Sequence, residues 1–202
     1  MKPDMKVWLV RHGESTANAG LPSTNHADVQ LTPRGREQAE AVAQRMQEPP
    51  GLLIVSPFLR ARDTAETIRR RWPAVPVETW PIEEFTYLSP QRCRNTTVEM
   101  RKPWVAEYWQ RADPAHVDGP GAESFAQFMQ RLREFRTRLV ERSEDPKEEL
   151  VVVVGHGQFF RALLWGAPHD FESSPARMVE YRSAETARPM ANGEIIEWRP
   201  TT

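Results

Sequence analysis

A hydrophobic run, Val7 to Val10, ends abruptly in Arg11-His12-Gly13-Glu14. Two more runs end in polar clusters: Leu52–Val55 gives way to Ser56-Pro57-Phe58-Leu59-Arg60, and Leu150–Val154 gives way to Gly155-His156-Gly157. Each cluster has an ordinary reading when taken alone. The first could be a turn with a salt-bridged arginine, the second a helix cap with an exposed arginine, the third a core histidine bonded to backbone. Together they offer two imidazoles and two guanidiniums, a set that suits a phosphoryl group. Arginine's planar fork matches two phosphate oxygens at once. A neutral imidazole is nucleophilic near neutral pH, and cationic neighbours help keep it deprotonated. Glycine beside each histidine lets backbone N–H groups approach closely.

The elements that must carry these clusters follow from hydrophobic spacing. Lys6–Val10, Leu52–Val55 and Leu150–Val154 read as strands, the first and last apolar enough to be covered on both faces. Val75–Thr79 reads as an edge strand because of its prolines. Thr32-Pro33 is a cap followed by proline, opening a helix with Ala39, Val42, Ala43 and Met46 on one face. Ser56-Pro57 repeats that signal ahead of Phe58, Ala61, Ala65 and Ile68. Helices are expected around Thr97–Gln110, after the Ser124/Gln127 capping box, and over Gln158–Trp165. Met178–Arg182 and Glu194–Trp198 read as closing strands, with Asn192-Gly193 as the turn before the second. Alternating strands and helices predict an α/β fold with a mostly parallel sheet. In such sheets ligands bind beyond the carboxyl ends of the strands, where all three polar clusters fall.

Several function classes are excluded or weakened. The formal net charge of −1 gives no electrostatic footprint for nucleic acid. No apolar stretch approaches the length of a membrane span, and the start, MKPDMKVW, has no signal-peptide h-region. The single cysteine, Cys93, leaves no intramolecular disulfide and fits a reducing cytoplasm. Cys93 is followed at the arginine position of a C-x5-R nucleophile loop by Glu99, and there is no G-x-x-x-x-G-K-[ST]. The five histidines show no metal-ligand spacing, so neither metal nor other cofactor is expected, and His26, His116 and His169 read as surface groups. With no repeat or linker, residues 1–202 read as one domain.

Taken in chain order, the motifs resemble those of the histidine phosphatase superfamily, phosphoglycerate-mutase-like branch. LVRHGEST-N at Leu9–Asn18, LTPRGREQA at Leu31–Ala39, SPFLRARDTA at Ser56–Ala65, EEF at Glu83–Phe85, GAESF at Gly121–Phe125 and VVGHG at Val153–Gly157 occur in that family's order and span most of the chain. The resemblance implies a three-layer α/β/α fold with a helical lid insertion at about residues 86–120. It implies His12 as the nucleophile, forming a phosphohistidine, with Arg11, Arg60 and His156 on the phosphoryl oxygens. Glu84 is implied as the acid for the leaving oxygen, with Glu83 as the fallback. Asn18, Ser15, Thr24, Gly157 and Gln158 match positions lining the phosphate pocket. The substrate so implied is a phosphorylated small molecule or phosphoprotein. The stretch EEFTYL departs from the mutase-like pattern, in which a basic-aromatic-glycine run follows the acid, and this favours hydrolysis over mutase activity. A phosphate- or phosphopeptide-binding module without catalysis is the non-enzyme alternative. The sequence leaves the oligomeric state open.

Overall fold

The computed structural model describes residues 5–142 and 150–200. Five strands form one sheet: β1 (Lys6–Arg11), β2 (Leu52–Val55), β3 (Val77–Thr79), β4 (Leu150–Gly155) and β5 (Ile195–Trp198), in the order β3-β2-β4-β1-β5. All pairings are parallel except that of β5 with β1. The run of aliphatics in β4 is therefore central, as its composition predicts. Its alternate residues serve two cores. Val152 and Val154, with Val10, Leu53 and Val55, pack against helices α1 (Pro33–Arg45) and α2 (Leu59–Arg71). Val151 and Val153, with Val7, Leu9 and Ile54, pack on the other face against the aromatic side of α5 (Phe125–Arg142) and against α6 (Gly157–Gly166) and α7 (Pro175–Ala187). Helices on both faces of a mostly parallel sheet make the three-layer α/β fold.

The expected caps are present. Thr32 Oγ1 accepts from Gly35 N at 3.0 Å, with Pro33 opening α1. Ser124 and Gln127 exchange hydrogen bonds at the start of α5. Two expectations need correction. Met178–Arg182 is not a strand but the middle of α7, which opens on a further serine-proline signal, Ser174-Pro175, with Ser174 Oγ accepting from Arg177 N. Met178 and Tyr181 are three apart and fully buried while Val179 is exposed, so the apolar spacing is helical despite the strand-like residue types. Ser56 does not cap α2, which starts at Leu59 with no side-chain cap. Between β3 and α5, residues 86–120 carry a one-turn helix, α3 (Pro90–Cys93), and α4 (Val98–Arg111). Tyr108 and Trp109 of α4 are buried in the core and Trp104 packs beside it, in keeping with a packing role for this cluster.

The loop after β1 is pressed onto the start of α1. A side-chain carbon at Gly13 would lie 2.1 Å from the Gly35 carbonyl oxygen, and one at Gly35 would lie 2.0 Å from that of Glu14. Backbone therefore fills the space any other residue would need at either position. Gly35→Ala is expected to destabilise the protein by about 3 kcal/mol or more, because neither neighbour is a movable side chain. Urea unfolding measures this, and an unchanged midpoint would refute the close approach.

Candidate active site

The parallel register sets the level of the site. β4 lies between β1 and β2, pairing Arg11 with Gly155 and Val55 with Val154. The ladder runs one step past the strands, with His12 N donating to Gly155 O at 3.0 Å and Ser56 N to Val154 O at 3.0 Å. His12, His156 and Ser56 therefore leave three adjacent strands side by side. The two imidazole rings meet edge to face at 5.2 Å between centroids, both buried.

Arg60, near the start of α2, links the groups. Its Nε donates to His12 Nε2 at 3.0 Å, its Nη2 to His156 Nδ1 at 3.1 Å and its Nη1 to the His26 carbonyl at 2.7 Å. These bonds assign the tautomers. His12 Nδ1 lies 2.7 Å from the Gly13 carbonyl, which can only accept, so the proton is on Nδ1 and Nε2 carries the lone pair. His156 Nδ1 accepts from Arg60, so its Nε2 donates to Ser56 Oγ at 2.8 Å. Burial, then the positive charges of Arg60 and Arg11, holds the His12 pKa well below 6.5. Burial and Arg60 do the same for His156. Burial lowers the Arg60 pKa to about 10, and it remains charged at neutral pH.

Arg11 donates from Nη1 to the Met190 carbonyl, while its buried Nε has no partner in the protein. A side-chain carbon at Gly157 would approach Arg11 Nε to 3.2 Å, so glycine there makes room for the guanidinium. Glycine's expected service to anions is otherwise spent inside the protein. The Gly13 N–H goes to Thr64 Oγ1 at 3.1 Å. The N–H groups of Gln158 and Phe159, at the start of α6, go to the Glu84 carboxylate at 3.3 and 3.2 Å, joined by Phe85 N at 3.1 Å. Glu84 is thus an in-trans cap of α6, a helix whose N-cap residue His156 provides none.

Arg11, His12, Arg60 and Glu84 line one end of a cavity of about 310 Å3, with Ser15, Asn18 and Gln158 beside them. Asn18 Oδ1 accepts from Ser15 N, Ser15 Oγ and Asn192 Nδ2, so its amide N–H groups are the part left for a ligand. Thr24 is not part of this lining; its hydroxyl donates to Asn95 Oδ1 at 3.1 Å. Glu83 is also absent from the lining and faces Arg131 Nη1 at 3.7 Å. Arg131 donates to the Glu83 carbonyl and pairs with Glu123, which accepts from Thr86 N, so this pair braces the loop presenting Glu84. Sequence reasoning missed three participants. His26 lines the cavity against the Phe58 ring rather than lying on the surface, Ser56 fixes the His156 tautomer, and Thr64 ties Gly13 to α2. Ser56 and Thr64 both lie within the SPFLRARDTA motif, whereas nothing local marks His26.

This geometry agrees with the comparisons to known proteins. Residues 7–186 match the Histidine phosphatase superfamily (branch 1). The chain belongs to that superfamily. It is 30% identical over 159 residues to the adenosylcobalamin/alpha-ribazole phosphatase of Escherichia coli K12, covering 75% of this chain and 73% of that one. It is 33% identical over 174 residues to the glucosyl-3-phosphoglycerate phosphatase of Mycolicibacterium vanbaalenii, covering 82% and 76%. The crystal structure of the alpha-ribazole phosphatase from Shigella flexneri superposes with a TM-score of 0.71 at 25% identity, covering 96% of this chain and 89% of that chain. Among the described residues, no helix of this superfamily member is long and apolar enough to cross a membrane.

Both buried imidazoles are neutral in the folded state but take protons near their ordinary value of 6.5 once exposed. Below that pH the unfolded chain binds more protons, so stability falls as the pH drops. Each imidazole contributes up to about 1.4 kcal/mol per pH unit. Thermal unfolding followed from about pH 8 to about pH 5 should show a level Tm at the upper end and a decline below about pH 6.5. A Tm independent of pH across that range would contradict the two buried neutral rings.

Proposed function

We propose that this histidine-family phosphatase hydrolyses phosphomonoesters through a phosphohistidine on His12, without a metal. The observation that carries the reading is the fixed His12 tautomer: Nδ1–H is held by the Gly13 carbonyl, and the Nε2 lone pair sits among the guanidiniums. The substrate's phosphoryl oxygens take the Arg60 Nε–H away from Nε2 and accept from the Arg11 guanidinium, which lines the cavity. The uncovered lone pair then forms the N–P bond as the P–O ester bond breaks. The leaving oxygen takes a proton from the acid form of Glu84, which the later attack of water regenerates and whose carboxyl lines the same end of the cavity. Water then attacks phosphorus, gives a proton back to Glu84, and the N–P bond breaks to restore neutral His12 and release phosphate. Arg11 and Arg60 neutralise the charge on the transferring group throughout, the electrostatic part of phosphoryl transfer, while the neutral His156 holds Arg60 in place through its Nδ1.

Relatives named as phosphatases support hydrolysis, although the probable phosphoglycerate mutase GpmB of Erwinia tasmaniensis also matches, at 28% identity over 213 residues. Two are phosphatases by name, and a third, 29% identical over 163 residues, is the metal-independent phosphoserine phosphatase of Arabidopsis thaliana. In this reading residues 86–120 form a lid on a single domain, since Phe85 to Val105 supply the wall opposite the phosphate end. The substrate is a phosphorylated small molecule, and the free Cys93 thiol suits a reducing cytoplasm.

Phosphate release from p-nitrophenyl phosphate tests the assignment. His12→Ala should abolish turnover. Glu84→Gln should lose about 10²–10⁴-fold and leave a measurable trace, as removal of a general acid does. EDTA should change nothing, and rapid quench should trap an acid-labile, base-stable phosphoryl adduct on His12. Equal and mild losses in the two variants would refute His12 as nucleophile and Glu84 as acid. Positional exchange in 3-phosphoglycerate without free phosphate would identify a mutase instead.

A further inference from the structure

The turn between α7 and β5 reaches back across the site. Glu194 N closes it by donating to the Ala191 carbonyl at 3.1 Å. The polar groups between these two residues face the loop after β1. Gly193 N donates to the Arg11 carbonyl at 3.1 Å and the His12 carbonyl at 3.3 Å. Asn192 Nδ2 donates to the His12 carbonyl at 3.1 Å and to Asn18 Oδ1 at 3.2 Å. Met190, just before the turn, accepts from Arg11 Nη1 through its carbonyl. One short segment therefore touches Arg11, His12 and Asn18, although Asn192 itself is absent from the cavity lining.

The partners decide which way both amides point. The His12 carbonyl only accepts, so the Asn192 atom facing it is the nitrogen. Ser15 N only donates and reaches the same Asn18 atom at 3.1 Å, so that atom is the oxygen. Asn18 is thereby left with its Nδ2 hydrogens for the cavity it lines. Ser15 N and Oγ also hold Asn18, but they lie three residues away in the same loop and move with it. Asn192 joins Asn18 to the residue of the nucleophile, one nitrogen bridging the two through its two hydrogens. Placement of this kind matters because a shift of about 1 Å at a reacting centre can cost a hundredfold. We propose that Asn192 is a positioning residue of the phosphate site, setting the Asn18 amide relative to His12 without touching the substrate. This inference rests on the phosphatase reading for its effect on turnover and on hydrogen-bond geometry alone for its effect on phosphate binding.

The effect is read first on inorganic phosphate, whose binding to the intact protein is measured by calorimetry. Asn192→Ala should weaken phosphate binding about three- to tenfold, the range of one hydrogen bond. Asn18→Ala should weaken it at least as much, and an unchanged affinity in either variant overturns the proposal. The variant carrying both substitutions should bind no more weakly than Asn18→Ala alone, because Asn192 acts through Asn18. Losses that multiply in the double variant overturn the proposal, since Asn192 then acts by another route. So does a Tm for Asn192→Ala more than about 10 °C below the parent, several times the shift from one hydrogen bond in a domain of this size. Turnover of p-nitrophenyl phosphate separates this role from the chemistry, and the same non-additivity is expected in kcat/KM. Multiplying losses in an active enzyme remove the positioning role and leave the phosphatase reading intact. Coupled phosphate affinities with no turnover of the ester overturn the phosphatase reading and leave the positioning role standing.

Discussion

A guanidinium buried at the end of a parallel sheet must spend its donors inside the protein, and at Arg60 that requirement organises the site. Its Nε and Nη2 go to the two imidazoles and its Nη1 to the His26 carbonyl. An isolated charge in such a place would cost several kcal/mol, so geometry and charge are settled together. The imidazoles must be neutral to accept from it, and its charge in turn helps keep them neutral. Ser56 and the Gly13 carbonyl take the protons on the opposite ring nitrogens, which leaves each ring one tautomer.

Two structural systems meet at the cavity, and they are held by different means. The end lined by Arg11, His12 and Arg60 is fixed by strand register and by the backbone contact of the Gly13 loop with α1. The opposite wall belongs to the segment between β3 and α5. It is strapped across by Arg101 and braced from below by the Glu123–Arg131 pair. Glu84 joins the two, since its loop belongs to the second system while its carboxylate caps a helix of the first.

The sequence made the phosphate end legible for a simple reason. Arg11, His12 and His156 follow directly on strands, so a periodicity argument that finds the strands also finds the residues at their carboxyl ends. Arg60 came with the turn after β2. What failed needed information from elsewhere in the chain. Ser56 looks like a cap because serine before proline usually is one, yet its hydroxyl is claimed by His156, a hundred residues away. His26 sits in a loop without periodicity, and only its packing against Phe58 brings it to the cavity. Residues 178–182 carry strand-favouring types, but the Ser174 cap and the burial of Met178 with Tyr181 decide for helix. The facing wall was legible only in outline, as the lid over residues 86–120 that the resemblance implied, because its lining residues are spread over a loop and two helices without a local motif.

The position of β4 has a consequence for how the molecule is made. β1 and β2 are separated in the sheet by a strand that enters the sequence only at Leu150. A chain emerging from the ribosome therefore has its first two strands without their common neighbour, each with an unpaired edge, until the segment from Leu150 has been synthesised. The pairings that complete the sheet span roughly a hundred residues or more, which makes assembly slow compared with local helix formation. The nascent protein thus carries sticky open edges for much of its translation, and the two imidazoles meet only in the last stage of assembly.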